Sequence, residues 1–338
     1  MSDIKFGVLV PQGWRLDLVD IEDPVEKYES MTKVAQEAER LGLDSIWLYD
    51  HFHTVPTPTL ETNFECWATT AALARDTKNI RIGQMVTCNG YRNPALLAKM
   101  ASTVDVMSHG RLDFGIGAGW YEHEFKAYGY DFPDGPTRLK MLREALQIFH
   151  AMWKDDYATF EGKYYSVNGA INEPKGVQKP HIPIWIGGGG EKVTLKLVAQ
   201  YGDACNFGGT DLEVYKRKLG ILKDHCETVG RDYNSIIKSS LISGMLLSPG
   251  QTVDAAIAKV SANIGKALGR ELRPEEIARA GGNLIGSPQE FVDMCGKLVD
   301  TGIDYMLFYL YDIVHLEQLQ RFAEEVIPAF RAQTAHTS

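Results

Sequence analysis

The sequence predicts one α/β domain spanning residues 1–338, a (β/α)8 TIM barrel with insertions after strands four and seven. Three observations carry this. Short apolar or β-branched runs alternate with amphipathic segments along nearly the whole chain, which is the pattern of βα units around a parallel sheet. One turn recurs, as "AERLGLD" before Ser45, "LVAQYGDA" before Ala204 and "LVDTGID" before Tyr305, so a single unit repeats. The unusual residue clusters fall where predicted strands end, the face on which such barrels build sites.

In chain order the predicted strands are Ile4–Val10, Ser45–Tyr49, Ile80–Val86, Leu112–Ile116, Ile182–Ile186, Ala204–Phe207, Ile236–Leu246 and Tyr305–Tyr309. Helical segments separate them, over Pro24–Leu41, Phe64–Asp76, Pro94–Ser108, Pro136–Lys154, Glu191–Tyr201, Asp211–Val229, Pro288–Thr301 and His315–Arg331. Glycines such as Gly42 stop a helix just before a strand begins. Two stretches exceed a minimal unit. Residues 155–180, aromatic and bearing Gly and Pro, read as a small hairpin with a long loop, and residues 248–282 hold a helical run followed by "RPEEIARAGG". Insertions of this kind build lids and substrate walls.

A net charge of −9 argues against a nucleic-acid or anionic-membrane surface, because both need clustered Lys and Arg. The N-terminus lacks a leader pattern and no run of about 18 apolar residues occurs, so a soluble cytoplasmic protein acting on a small molecule is expected. Cys66, Cys88, Cys205, Cys226 and Cys295 are odd in number without CxxC spacing, which indicates reduced core thiols and neither zinc site nor disulfide framework. No metal is expected. "YEHEF" at 121–125 reads as a polar loop entering a helix.

"PIWIGGGG" places Gly188, Gly189 and Gly190 where a buried strand gives way to a helix. Unpaired N–H groups there favour an anion such as phosphate, the plain alternative being a tight βα turn. "YDHFH" sets Asp50 beside His51 at the end of strand two, where an imidazole exchanges protons at neutral pH and a carboxylate fixes its tautomer; otherwise His51 is a satisfied structural residue. His53 reads as a wall or solvent residue. In "GIGAGW" the alternating Gly115, Gly117 and Gly119 suit backbone lying against a flat ligand, or a close-packed barrel corner. No Rossmann helix with a ribose-binding acid follows, and there is neither a GxSxG elbow nor an HExxH.

Together "YDHF", "MVTCNGYRNPALLAKMASTVDVMSHGRLDFGIGAGW", "EFKAYGYDFP", "PIWIGGGGEKVTLKLVAQYGDACNF" and the ending "VIPAF" resemble the bacterial luciferase-like superfamily, in particular its branch of oxidoreductases dependent on the deazaflavin coenzyme F420. The resemblance covers residues 4–330. It implies a flat ring at the mouth of the barrel contacted by Asp50 and His51, with Met85, Val86 and Thr87 forming a bulge behind it that carries a cis Met85–Val86 bond. It assigns Gly117, Ala118 and Gly119 to the cofactor-lining backbone and Gly188, Gly189 and Gly190 to the phosphate. Sugar-phosphate dehydrogenases of this branch carry a glutamate directly after the GxGxG; here Trp120 stands in its place. An aromatic pocket of Trp14, Phe52 and Trp120, with Tyr91 nearby, is expected instead, suited to a planar or apolar substrate such as a nitroaromatic, an enone or a ketone.

The activity so implied is hydride transfer between F420 and a small organic substrate, with His51 as proton donor or acceptor and Asp50 orienting His51 or the ring. The alternatives are a reduced-FMN monooxygenase on the same fold, since FMN shares the ring system and phosphate, and a non-catalytic flavin-binding protein. A homodimer through helices near strands two to four is the expected assembly.

Overall fold

A computed structural model describes residues 4–55, 57–273, 276 and 284–331. Its strands are β1 (Lys5–Leu9), β2 (Ser45–Leu48), β3 (Arg81–Gln84), β4 (Thr87–Cys88), β5 (Leu112–Gly117), β6 (Ala158–Glu161), β7 (Ser166–Ala170), β8 (Ile184–Gly187), β9 (Ala204–Gly208), β10 (Ile237–Leu246), β11 (Leu284–Gly286) and β12 (Tyr305–Leu310). Parallel pairing in the order β1-β2-β3-β5-β8-β9-β10-β12 returns to β1, closing an eight-stranded barrel that leaves no edge. Each of the eight expected strands is present, with ends shifted by at most a few residues.

The helices are α1 (Pro24–Arg40), α2 (Cys66–Asp76), α3 (Pro94–Met107), α4 (Glu122–Ala127), α5 (Gly135–Lys154), α6 (Thr194–Tyr201), α7 (Leu212–Val229), α8 (Val253–Leu268), α9 (Pro288–Thr301) and α10 (Glu317–Arg321). Their starts are written locally. Asp23, Asn93 and Ser287 each precede a proline and accept backbone N–H groups of the first turn; the proline gives up only an N–H that has no intrahelical partner. The C-terminal segment departs from the expected continuous helix. α10 passes into a π-turn over Phe322–Val326 and a 3-10 turn over Ile327–Ala329, because Pro328 cannot continue the i→i−4 ladder.

Two cores result. An outer one fills the space between strands and helices, and an inner one plugs the barrel with Trp47, Trp185 and Tyr305. Trp47 and Trp185 meet edge to face at 4.7 Å, and the Trp47 indole N–H and Tyr305 hydroxyl both reach Ser45 Oγ at 2.6 Å. Trp47 crowds two strand glycines and Ser45 one of them; a Cβ on Gly7 would meet Ser45 Oγ first, at 2.2 Å. It would also lie 2.8 Å from Trp47 Nε1, and one on Gly83 would lie 2.5 Å from Trp47 Cζ3.

In the first insertion β6 and β7 form the expected hairpin, tied to α5 where Glu144 accepts the N–H groups of Lys163, Tyr164 and Tyr165. The second supplies α8, while β11 pairs with the end of β10; most of "RPEEIARAGG" lies outside the described residues. All five cysteines are buried and unpaired. Among the described residues no helix is long and apolar enough to cross a membrane.

Candidate active site at the barrel mouth

The third barrel strand stops at Gln84 and resumes as β4 beside β5, and the break holds a cis Met85–Val86 peptide. The interruption pushes Val86 across the mouth. A Cβ on Gly117 or on Gly187 would stand 2.8 Å from a Val86 methyl. Gly117 is buried, and its missing side chain makes room for Val86. Ala118 and Gly119 are half-buried at the end of β5, but Ala118 faces a different hollow, lined by Arg92, Arg138 and Tyr165.

Above the bulge lies a cleft of about 150 Å3, bounded by Trp14 after β1, Asp50 and His51 after β2, Met85–Thr87, and Gly119 and Trp120 after β5. Trp14 is buried and stacks flat on His51, ring centroids 4.7 Å apart and planes 8° from parallel. Trp120 is 60% exposed, an indole on the rim edge-on to His51 at 5.8 Å. Thr87 is held in place by the Trp67 indole N–H. Phe52 departs from expectation. Its ring turns away from the cleft into a cluster with Tyr91 (4.5 Å) and Tyr128 (4.2 Å).

His51 is anchored by Glu124, a residue of α4 and not of the expected polar loop. His51 Nδ1 lies 2.8 Å from Glu124 Oε2, which also accepts the Tyr91 hydroxyl at 2.7 Å, while Oε1 accepts the Phe52 N–H at 2.7 Å and the His53 N–H at 3.3 Å. Burial pushes the Glu124 carboxyl up, but these hydrogen bonds, His51 first, hold it below its ordinary value. Burial raises the Tyr91 phenol, which stays protonated and donates. An ionised carboxylate can only accept, so Nδ1 of His51 must be the N–H donor. The ring's proton chemistry is thereby assigned to Nε2. Beyond Glu124, His53 Nε2 and His123 Nδ1 are 3.0 Å apart, yet no group of three or more metal-ligating side chains occurs among the described residues.

The Asp50 carboxylate bonds to other partners than the neighbouring His51 ring. Its two oxygens take the Arg92 guanidinium in a fork at 2.6 and 2.9 Å, and Oδ2 also accepts the Cys88 N–H at 2.8 Å. Burial opposes the charge on Arg92, and Asp50 more than restores it. The carboxylate therefore locks the β2 end to β4 and is spent on Arg92 rather than on the imidazole, while it still lines the cleft where the ring is expected.

Across the mouth Gly188, Gly189 and Gly190 follow β8. Gly188 has φ +115°, a conformation that side-chain-bearing residues rarely adopt. Gly189 leaves room for a side chain from another unit. A Cβ there would sit 1.9 Å from Nζ of Lys218, on α7, whose ammonium also lies over the Phe207 ring at 5.7 Å. The turn thus pairs bare backbone with a cation that sequence reading did not place.

Residues 4–305 match the family described as luciferase-like monooxygenase. The chain is 28% identical over 326 residues to the F420-dependent glucose-6-phosphate dehydrogenase of Amycolatopsis mediterranei, covering 89% of this chain and 94% of the relative. It is 27% identical over 349 residues to the oxygenase component of the flavin-dependent trigonelline monooxygenase of Acinetobacter baylyi, covering 92% of each. Among solved structures, an F420-dependent secondary alcohol dehydrogenase in complex with an F420-acetone adduct superposes with a TM-score of 0.76 at 22% identity, covering 98% of this chain and all of the other.

Proposed function

Because the chain belongs to the luciferase-like monooxygenase family, we propose that it is an F420-dependent oxidoreductase that transfers a hydride between the deazaflavin ring and a small organic substrate held beside His51. The observation that carries this reading is the oriented imidazole. His51 is buried at the mouth, stacked on Trp14, with Nδ1 committed to a carboxylate that no solvent reaches. Such an arrangement aims one ring nitrogen at whatever occupies the cleft.

The residues fit a phosphate-bearing cofactor. Gly188–Gly190 and the Lys218 ammonium make a cradle that one methyl group at Gly189 would fill, and bare N–H groups beside a cation suit a phosphate. When bound, the deazaflavin supplies two-electron hydride chemistry. The protein then has to position and to move a proton. Nε2 of His51 takes a proton from an alcohol as it is oxidised, or gives one to the oxygen of a ketone or enone as it is reduced. Glu124 holds the ring and stabilises its cationic form, and Asp50 with Arg92 fixes the strand end that carries it. Trp14 and the exposed rim indole of Trp120 favour a planar or apolar substrate over a sugar phosphate.

Titration of the purified protein with F420 and separately with FMN, followed by ligand fluorescence, tests the reading. Micromolar F420 affinity with weak FMN binding, and substrate-dependent change of the F420 absorbance, are expected. The relation to the trigonelline monooxygenase favours one second reading, a reduced-FMN monooxygenase. A preference for FMN, with oxygen consumed in the presence of an FMN reductase, would establish it instead.

A further inference from the structure

On the β1 and β12 side of the mouth lies a second cavity, of about 270 Å3, to which the proton chemistry of His51 assigns nothing. Leu16, Val55, Ile264, Leu268, Leu272 and Tyr311 give it an apolar wall. At one end stands Arg15. Its guanidinium carbon is 4.5 Å from the Trp14 ring centroid and 5.6 Å from that of Tyr309, so aromatic faces hold the cation at the cavity. Trp14 touches both Arg15 and, by flat stacking, His51, so a single indole joins this cavity to the candidate catalytic cleft.

Of the carboxylates nearby, one is fully spent on cations and the other partly on backbone. Glu276, the carboxylate on the cavity wall, accepts from Arg270 and from Arg273 at 2.9 Å. Asp17, two residues from Arg15, spends Oδ1 on the Gly13 N–H at 2.7 Å. Among the described residues Arg15 forms no ion pair with a carboxylate, although Asp17 acts on it through space. A guanidinium at the end of an apolar slot, hydrogen-bonded to the Tyr311 hydroxyl but paired with no carboxylate among the described residues, is complementary to an anionic head on an apolar body.

We infer that this cavity is a specificity pocket for an organic anion, a carboxylate or sulfonate whose apolar part lies along Leu16, Ile264 and Leu268 while Arg15 grips the oxygens. Calling the occupant the substrate rests on the hydride-transfer reading; the anion pocket itself does not.

The test is calorimetric titration of the full chain with benzoate, benzenesulfonate and benzamide, the last a neutral isostere of benzoate. Benzoate or benzenesulfonate is expected to bind at least about tenfold more tightly than benzamide, a difference in reach of one charge-assisted hydrogen-bonded pair. R15M, which keeps bulk over Trp14, should bring the anions down to benzamide's affinity, R15K should keep part of the preference, and F420 affinity should stay within about twofold in both. L268A should weaken all three probes together. Benzamide binding as tightly as both anions, or a preference for the anions that survives in R15M with an unchanged melting temperature, overturns the pocket. Should the anions bind through Arg15 while F420 does not bind, the hydride-transfer reading falls and the pocket stands; F420 binding with no anion preference has the opposite meaning.

Discussion

Glu124 Oε2 stands 2.8 Å from Nδ1 of His51, joining two residues 73 positions apart at the end of β2 and the start of α4. The carboxylate is fully buried and accepts from four donors, so its charge is spread over a preorganised set of hydrogen bonds rather than over water.

E124Q tests that relationship. An amide must turn an N–H toward one of the donors now satisfied, which leaves His51 free to adopt the wrong tautomer. Turnover is expected to fall by roughly 100-fold or more, as when an orienting carboxylate is lost from a catalytic imidazole, with F420 affinity nearly unchanged. The pH dependence has a definite sign. The folded carboxyl sits below its ordinary value of 4.5, so its stabilisation is present above that value and is lost as pH falls through the folded one. E124Q should therefore be less stable at neutral pH by about 2–4 kcal/mol and lose less on acidification, read as urea midpoints at pH 7 and pH 4.

H51A separates proton handling from scaffolding. The ring lies in the cleft with Nδ1 spent on Glu124, so its removal should cost about 100- to 10,000-fold in turnover while F420 binding changes by less than about threefold. Unchanged turnover would remove His51 from the chemistry. Loss of cofactor binding in step with turnover would make it a packing residue against Trp14.

The barrel was legible because its signals are local. Alternation of apolar runs and capped helices places all eight strands, and the ends of those strands locate the mouth. What the sequence left hidden are partnerships across the chain. Nothing in "YEHEF" separates Glu124, which points inward to four donors, from the exposed Glu122 two residues earlier. Asp50 and His51 look like a pair because they are neighbours, yet at a strand end adjacent side chains leave in opposite directions, and each finds its partner elsewhere, Arg92 for one and Glu124 for the other. Phe52 sits next to the site residue and turns away from the cleft, while Lys218 reaches Gly189 from another βα unit.

That last contact supports a prediction about the phosphate cradle. G189A would place a methyl group 1.9 Å from Lys218 Nζ, so the flexible lysine end must swing away from the turn, and K218M removes the charge outright. Both should weaken binding of the deazaflavin 5′-phosphate by about 10-fold or more and leave the phosphate-free ribityl deazaflavin unaffected. Equal losses for the two ligands would mean that the turn is a packing feature.

Asp17 gives a stability effect of opposite sign to that of Glu124. Burial pushes its carboxyl up to about 6 from an ordinary 3.8, against hydrogen bonds and the nearby Arg15 charge that favour ionisation. A carboxyl raised in the folded state contributes stability that is fully present below the unfolded value and is lost as pH rises through the folded one, here between about 4 and 6. D17N keeps an oxygen for the Gly13 N–H, now accepted at 2.7 Å, and removes the cost of ionising a buried group. The variant should gain about 1–3 kcal/mol over the native protein at pH 7.5 and nothing at pH 4, measured as the difference in urea midpoints. A gain of equal size at both pH values would show that the substitution acts through packing; no gain at either would mean that the carboxylate at this position is already well solvated.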